Sequence, residues 1–82
     1  MFNKVLVVQE DEIKARDLIY CLEYLGYNVI DAVKNGNAAI KSVINKRPDL
    51  IVLDIDVGDI NTIEAAIKFI KCSIPIVYCF NN

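Results

Sequence analysis

The sequence predicts an open parallel α/β sheet with the element order β-α-β-α-β-α-β. Two aliphatic runs carry most of that expectation. Val5-Leu6-Val7-Val8 and Leu50-Ile51-Val52-Leu53 are unbroken by polar residues, as strands covered on both faces must be. Elsewhere apolar residues recur at helical spacing, and glycine, proline and asparagine mark the changes of period. The connections are short, and the helices are long enough to serve as right-handed crossovers.

Lys4 to Val8 forms the first strand, which switches abruptly to Gln9-Glu10-Asp11-Glu12. From Ile13 the period changes. Ala15, Leu18, Cys21, Leu22 and Leu25 fall on one face of a first helix, with Lys14, Arg16, Asp17 and Glu23 mostly elsewhere, and Gly26 supplies the left-handed position that ends it. Tyr27 to Val33 reads as a less buried edge strand because Asn28 and Asp31 interrupt it. Asn35-Gly36-Asn37 is turn chemistry leading into a second helix with the stripe Ala39, Ile40, Val43 and Ile44, stopped by Pro48.

The third strand enters through Pro48-Asp49 and ends on Asp54-Ile55-Asp56. Asp56 to Ile60 has the composition of a loop. Asn61 and Glu64 have the spacing of an N-cap and its N3 partner, and they open a third helix with Ile63, Ala66, Ile67 and Ile70 on one face. A last strand runs from Ile74 to Phe80, with Pro75 tolerated at its start.

Composition removes several function classes. Eighty-two residues are expected to make one domain. The hydrophobic content of 55% comes in short runs broken by charges, far below the ~20 residues of a membrane span. No basic segment followed by an apolar one opens the chain, so a cytoplasmic location is expected. There is no histidine, which excludes imidazole catalysis and His-ligated zinc. A net charge of -2, with no basic cluster beyond Lys46-Arg47, argues against nucleic-acid binding by this segment. Cys21, Cys72 and Cys79 lie in apolar contexts without metal-ligand spacing and are expected to be buried, reduced thiols.

Two neighbouring parallel strands that end in acids would bring Gln9, Glu10 and Asp11 near Asp54 at the carboxyl edge of the sheet, where open α/β folds place ligands. Clustered carboxylates without His or Cys favour a hard cation, and a small set with open positions suits Mg²⁺. Such an ion would hold phosphate oxygens, and a carboxylate could act as the nucleophile that forms an aspartyl phosphate. The bland alternatives are a strand-end cap for Asp54 and a solvated helix N-cap for Glu10 and Asp11.

At these residues the chain resembles the receiver domain of two-component response regulators. Lys4 to Glu12 looks like the first strand of that family with its acidic pair, and Leu25-Gly26-Tyr27-Asn28-Val29 like its first helix-to-strand junction. Asn35-Gly36 with Ala39 resembles the start of the second helix, and Pro48 to Asp54 the phosphoacceptor strand. Ile63-Glu64-Ala65-Ala66, followed by Ile74-Pro75-Ile76-Val77, resembles the third helix and fourth strand. The resemblance covers all 82 residues without a gap. It implies a flavodoxin-like, doubly wound (βα)3β sheet of strand order 2-1-3-4, a partial receiver over residues 1–82 without the fifth strand and last two helices of the family.

The same resemblance makes Asp54 the phosphoacceptor and Glu10 the main metal-binding acid. The backbone carbonyl of Asp56 becomes the third Mg²⁺ ligand, with Gln9 contributing through water. It implies a sensor histidine kinase or phosphotransfer protein as partner and no enzymatic activity of the domain's own. Four departures stand out. Gln9 replaces an acid, Glu10 is one methylene longer than the usual Asp, Phe80 occupies the place of a Thr or Ser hydroxyl, and the phosphate-pairing Lys of a fifth strand is absent. Two readings therefore stand side by side, a phosphoacceptor on Asp54 and a degenerate receiver that recognises a partner whatever its phosphorylation state. A flavin or nucleotide domain is disfavoured, because the three glycines are isolated. Self-association is also expected, through the uncovered sheet face over strands 3 and 4 or through the strand 4 edge.

Overall fold

A computed structural model of the chain describes residues 3–54, 68, 71 and 73–79. Its elements are β1 (Lys4–Val8), α1 (Glu12–Tyr24), β2 (Asn28–Val33), α2 (Gly36–Lys46), β3 (Leu50–Asp54) and β4 (Ile76–Cys79). The strands form one sheet in the order β2-β1-β3-β4, and every pair in it is parallel. This is the expected strand order. The chain moves outward from β1 through α1, then back past β1 through α2, and right-handed crossovers in opposite directions put the two helices on opposite faces. The helix expected from Asn61 onward lies outside the described residues, apart from Lys68 and Lys71, which are helical and exposed.

The two unbroken aliphatic runs are the centre of the molecule. Val5, Leu6, Val7, Ile51 and Leu53 are fully buried, and Val8 and Val52 nearly so. Strand alternation divides them between two cores. Val5, Val7 and Val52 pack with Leu18, Ile19, Leu22 and Val29 on the α1 side. Leu6, Val8, Ile51 and Leu53 pack with Ala39, Val43 and Ile76 on the α2 side. Each aliphatic side chain buried this way contributes roughly 1.5–3 kcal/mol against leaving it in water.

The helix boundaries follow from local chemistry. Asp11 is extended and caps α1, its carboxylate accepting from the amides of Ile13 and Lys14 at 2.9 and 3.1 Å. At the other end the Gly26 amide donates to the Glu23 carbonyl and the Tyr27 amide to the Leu22 carbonyl, each at 3.0 Å. Those two bonds form a Schellman motif, and it requires the left-handed φ of 96° that Gly26 adopts. Asn35 caps α2 by accepting from the Ala38 amide at 2.9 Å.

Several expectations need correction. In α1 the half-buried face is Ala15, Leu18, Ile19 and Leu22, whereas Cys21 is exposed and Leu25 is 70% exposed. At 100° per residue Cys21 points well away from the centre of that face, and Leu25 lies beyond the last helical turn. Cys21 is therefore a free, solvent-facing thiol rather than a buried one. In α2 Ser42 joins Ala39 and Val43 on the buried side, while Ile44 is 68% exposed. The sheet face on the α1 side is also less open than expected. Val52 of β3 is covered at 3% exposure, whereas its neighbour Val77 of β4 is 46% exposed.

Candidate functional site

The site is built on the carboxyl edge of the sheet. Val8 pairs with Val33 on one side and Leu53 on the other, so Lys34, Gln9 and Asp54 are the next residues of three adjacent strands. The ladder extends one step past β1, because the Gln9 amide donates to the Val33 carbonyl at 2.9 Å. Two parallel strands thus deliver Gln9-Glu10 and Asp54 to the same edge, next to the point where the winding direction reverses. Asp54 also pairs with Cys79 of β4. Asp56 and Phe80 lie outside the described residues.

The four polar residues after β1 have different duties. Gln9 is only 5% exposed, and its side-chain carbonyl accepts from the Asp11 amide at 2.9 Å. It turns the chain from strand to helix. Asp11 is committed to the cap, and the Lys14 amide is the main reason its carboxyl is held below the ordinary range. Glu12 meets Lys34 at 2.8 Å. The hydrogen bond between them lowers the carboxyl and raises the ammonium. Glu10 alone of the four keeps an exposed carboxylate that none of the described residues engages.

No group of three or more His, Cys, Asp or Glu side chains converges among the described residues. What they offer in kind toward a hard cation is the exposed carboxylate oxygen of Glu10. Beside this edge, between α1 and β2, lies a shallow cavity of about 300 Å³ with Ala15, Ile19, Ala32 and Val33 in its walls. The Glu12–Lys34 pair stands at this cavity too.

A second polar cluster was not read from the sequence. β2 carries a bulge, since Val5 pairs with Val29 but Leu6 pairs with Asp31, leaving Ile30 as the extra residue. The shift turns Asp31 to the α2 side. There the Ser42 hydroxyl donates to its carboxylate at 2.6 Å, and Lys46 approaches the same oxygen at 3.5 Å. The sequence signal was a serine between Ala39 and Val43, on the buried face of a helix, because a polar group placed there needs a partner.

That cluster has a pH consequence. The Ser42 hydrogen bond is the chief cause of the lowered Asp31 pKa. The fold therefore favours the ionised form, whose contribution is complete above the unfolded value of about 3.9 and is lost as pH falls through the folded one. Ser42→Ala is expected to destabilise the protein by about 1.5 kcal/mol near neutral pH. Denaturant melts should show the gap between variant and wild type narrowing below about pH 4. A gap that stays constant to lower pH would mean that the serine acts by packing alone.

The sequence matches the family described as response regulator receiver domain over residues 5–79. Among its relatives is the alkaline phosphatase synthesis transcriptional regulatory protein PhoP of Bacillus subtilis, 42% identical over 64 residues, a match covering 78% of this chain and 26% of that protein. The sensory transduction protein LytR of Staphylococcus haemolyticus is 33% identical over 73 residues, covering 88% of this chain and 28% of the relative. The chain thus spans about a quarter of the length of these relatives. Among solved structures, the signal receiver domain of a modulated diguanylate cyclase from Desulfovibrio desulfuricans superposes with a TM-score of 0.85 at 31% identity, over 96% of this chain and 65% of that one. With the family match running from β1 through β4, and the same sheet in a solved receiver, the chain belongs to the response regulator receiver domain family of two-component signalling.

Proposed function

We propose that this receiver accepts a phosphoryl group on Asp54 from a sensor histidine kinase or phosphotransfer protein in the cytoplasm. The register carries the reading, since Asp54 follows Leu53 on β3 and Gln9-Glu10 follow Val8, the residue paired with Leu53. A carboxylate oxygen of Asp54 forms a bond to phosphorus while the bond from phosphorus to the donor breaks, and the leaving group departs with that electron pair. Glu10 and Asp54 would hold Mg²⁺ together with the Asp56 carbonyl, and Gln9 would contribute through water. When bound, that ion offsets the charge on the phosphoryl oxygens.

The test is incubation with a small phosphodonor, with and without Mg²⁺, followed by intact-mass measurement. One phosphoryl group is expected per chain, only with the metal. Glu10→Gln should raise the Mg²⁺ concentration needed for half-maximal labelling by about tenfold or more, because the site loses a charged ligand. Labelling with the same metal requirement in Glu10→Gln would remove that residue from the site.

One observation favours the second reading, a degenerate receiver working as an interaction module. Gln9 is neutral, buried and bonded to the Asp11 amide, which suits a structural corner better than a ligand. In that case partner binding would be equal with and without phosphodonor. The receiver is also proposed to self-associate, and the edge of β4 beside the half-exposed Val77 is one surface open to it.

A further inference from the structure

Among the described residues, a further exposed apolar stripe lies on the outer side of α1. Ile13, Tyr20 and Tyr24 are 71%, 73% and 81% exposed. With the exposed Asp17 they occupy successive positions spaced four, three and four apart, the a/d spacing of a coiled-coil seam. The stripe faces directly away from Ala15, Leu18, Ile19 and Leu22, so nothing in the sheet accounts for it. An amphipathic helix normally keeps this side polar. Here both sides of the helix are apolar, and the outer one is written in heptad register.

From this stripe and its flanking charges we infer that α1 pairs with α1 of a second copy, antiparallel, about a two-fold axis near the middle of the helix. In that arrangement Ile13 meets the partner's Tyr24, and Asp17 meets the partner's Tyr20, whose phenol donates to the carboxylate. Arg16 and Glu23 flank the seam on one side and Lys14 and Cys21 on the other, and antiparallel pairing sets Arg16 against Glu23, and Lys14 against the uncharged Cys21, of the second copy. Two opposite-charge pairs form by symmetry. Parallel pairing in register would instead oppose Asp17 to itself and leave Arg16 and Glu23 without each other. The charge pattern thus selects both the occupant and the direction. The seam is one helix of 13 residues, small for an interface, so the dimer is weak and forms with rising concentration.

Sedimentation equilibrium from micromolar concentrations to about 1 mM tests the pairing. Wild type is expected to dimerise over that range. Arg16→Glu and Glu23→Arg should each weaken self-association about tenfold or more, because each sets like charges across the seam twice. An equimolar mixture of the two variants should recover wild-type association, since the heterodimer restores both pairs. Tyr24→Glu should leave a monomer. All three substitutions lie on the exposed side of α1, and circular dichroism checks that each variant is folded. A wild type that stays monomeric throughout overturns the inference. So does a dimer indifferent to Arg16→Glu or Tyr24→Glu, which would place the contact elsewhere, or a mixture that recovers nothing.

Discussion

Leu6→Ala is expected to destabilise the protein by about 3–5 kcal/mol, a large part of the roughly 5–15 kcal/mol that holds a small domain folded. Leu6 is fully buried at the middle of β1, between Ile51 of β3 and Asp31 of β2. Ala39 and Val43 of α2 belong to the same core. Truncation removes the transfer energy of its side chain and leaves a cavity that strands fixed on both sides cannot close. Ile44→Ala is the matching control. Its side chain is 68% exposed, so the change should fall within about 0.5 kcal/mol. Urea melts of the two variants against wild type give both numbers. A Leu6→Ala loss below about 1 kcal/mol would mean that the β1 core is not packed as described.

That control also shows where the sequence was legible. The strands could be read because β1 and β3 are unbroken apolar runs that a parallel sheet buries on both faces, whereas the strand order came from the resemblance to receiver domains. The cap at Gly26 was equally plain, because its left-handed position favours glycine, while Asn35, read as turn chemistry, proved to be the N-cap of α2. Helix phase was not. Ile13, Tyr20, Cys21, Tyr24 and Leu25 put apolar residues on the solvent side of α1, so apolar identity alone gave a face rotated from the real one. Ile44 misled the reading of α2 in the same way, while Ser42 took the inward place because Asp31 was there to accept its hydroxyl. That partnership depends on the bulge at Ile30, a register shift with no local signature in the sequence. At the edge of the sheet, the acids after β1 were visible as a group, yet their separate duties arise from how the chain turns from β1 into α1. Asp11 became the cap and Glu12 the partner of Lys34.

The second large effect is expected at Asp54. Its backbone closes β3 at the edge where Gln9 and Glu10 leave β1, and aspartates 56 and 59 follow it in the sequence. A carboxylate borne by a strand end starts from a fixed backbone position, and a nucleophile that is not positioned forfeits much of the advantage of a bound reaction. Labelling is therefore expected at Asp54 alone, and an amide there has no anionic oxygen to attack phosphorus. The decisive measurement is the intact mass of wild type and Asp54→Asn after incubation with the same small phosphodonor and Mg²⁺. The account predicts one phosphoryl group on wild type and none on the variant. A wild type that takes no label, or an Asp54→Asn chain that takes as much as wild type, would contradict it.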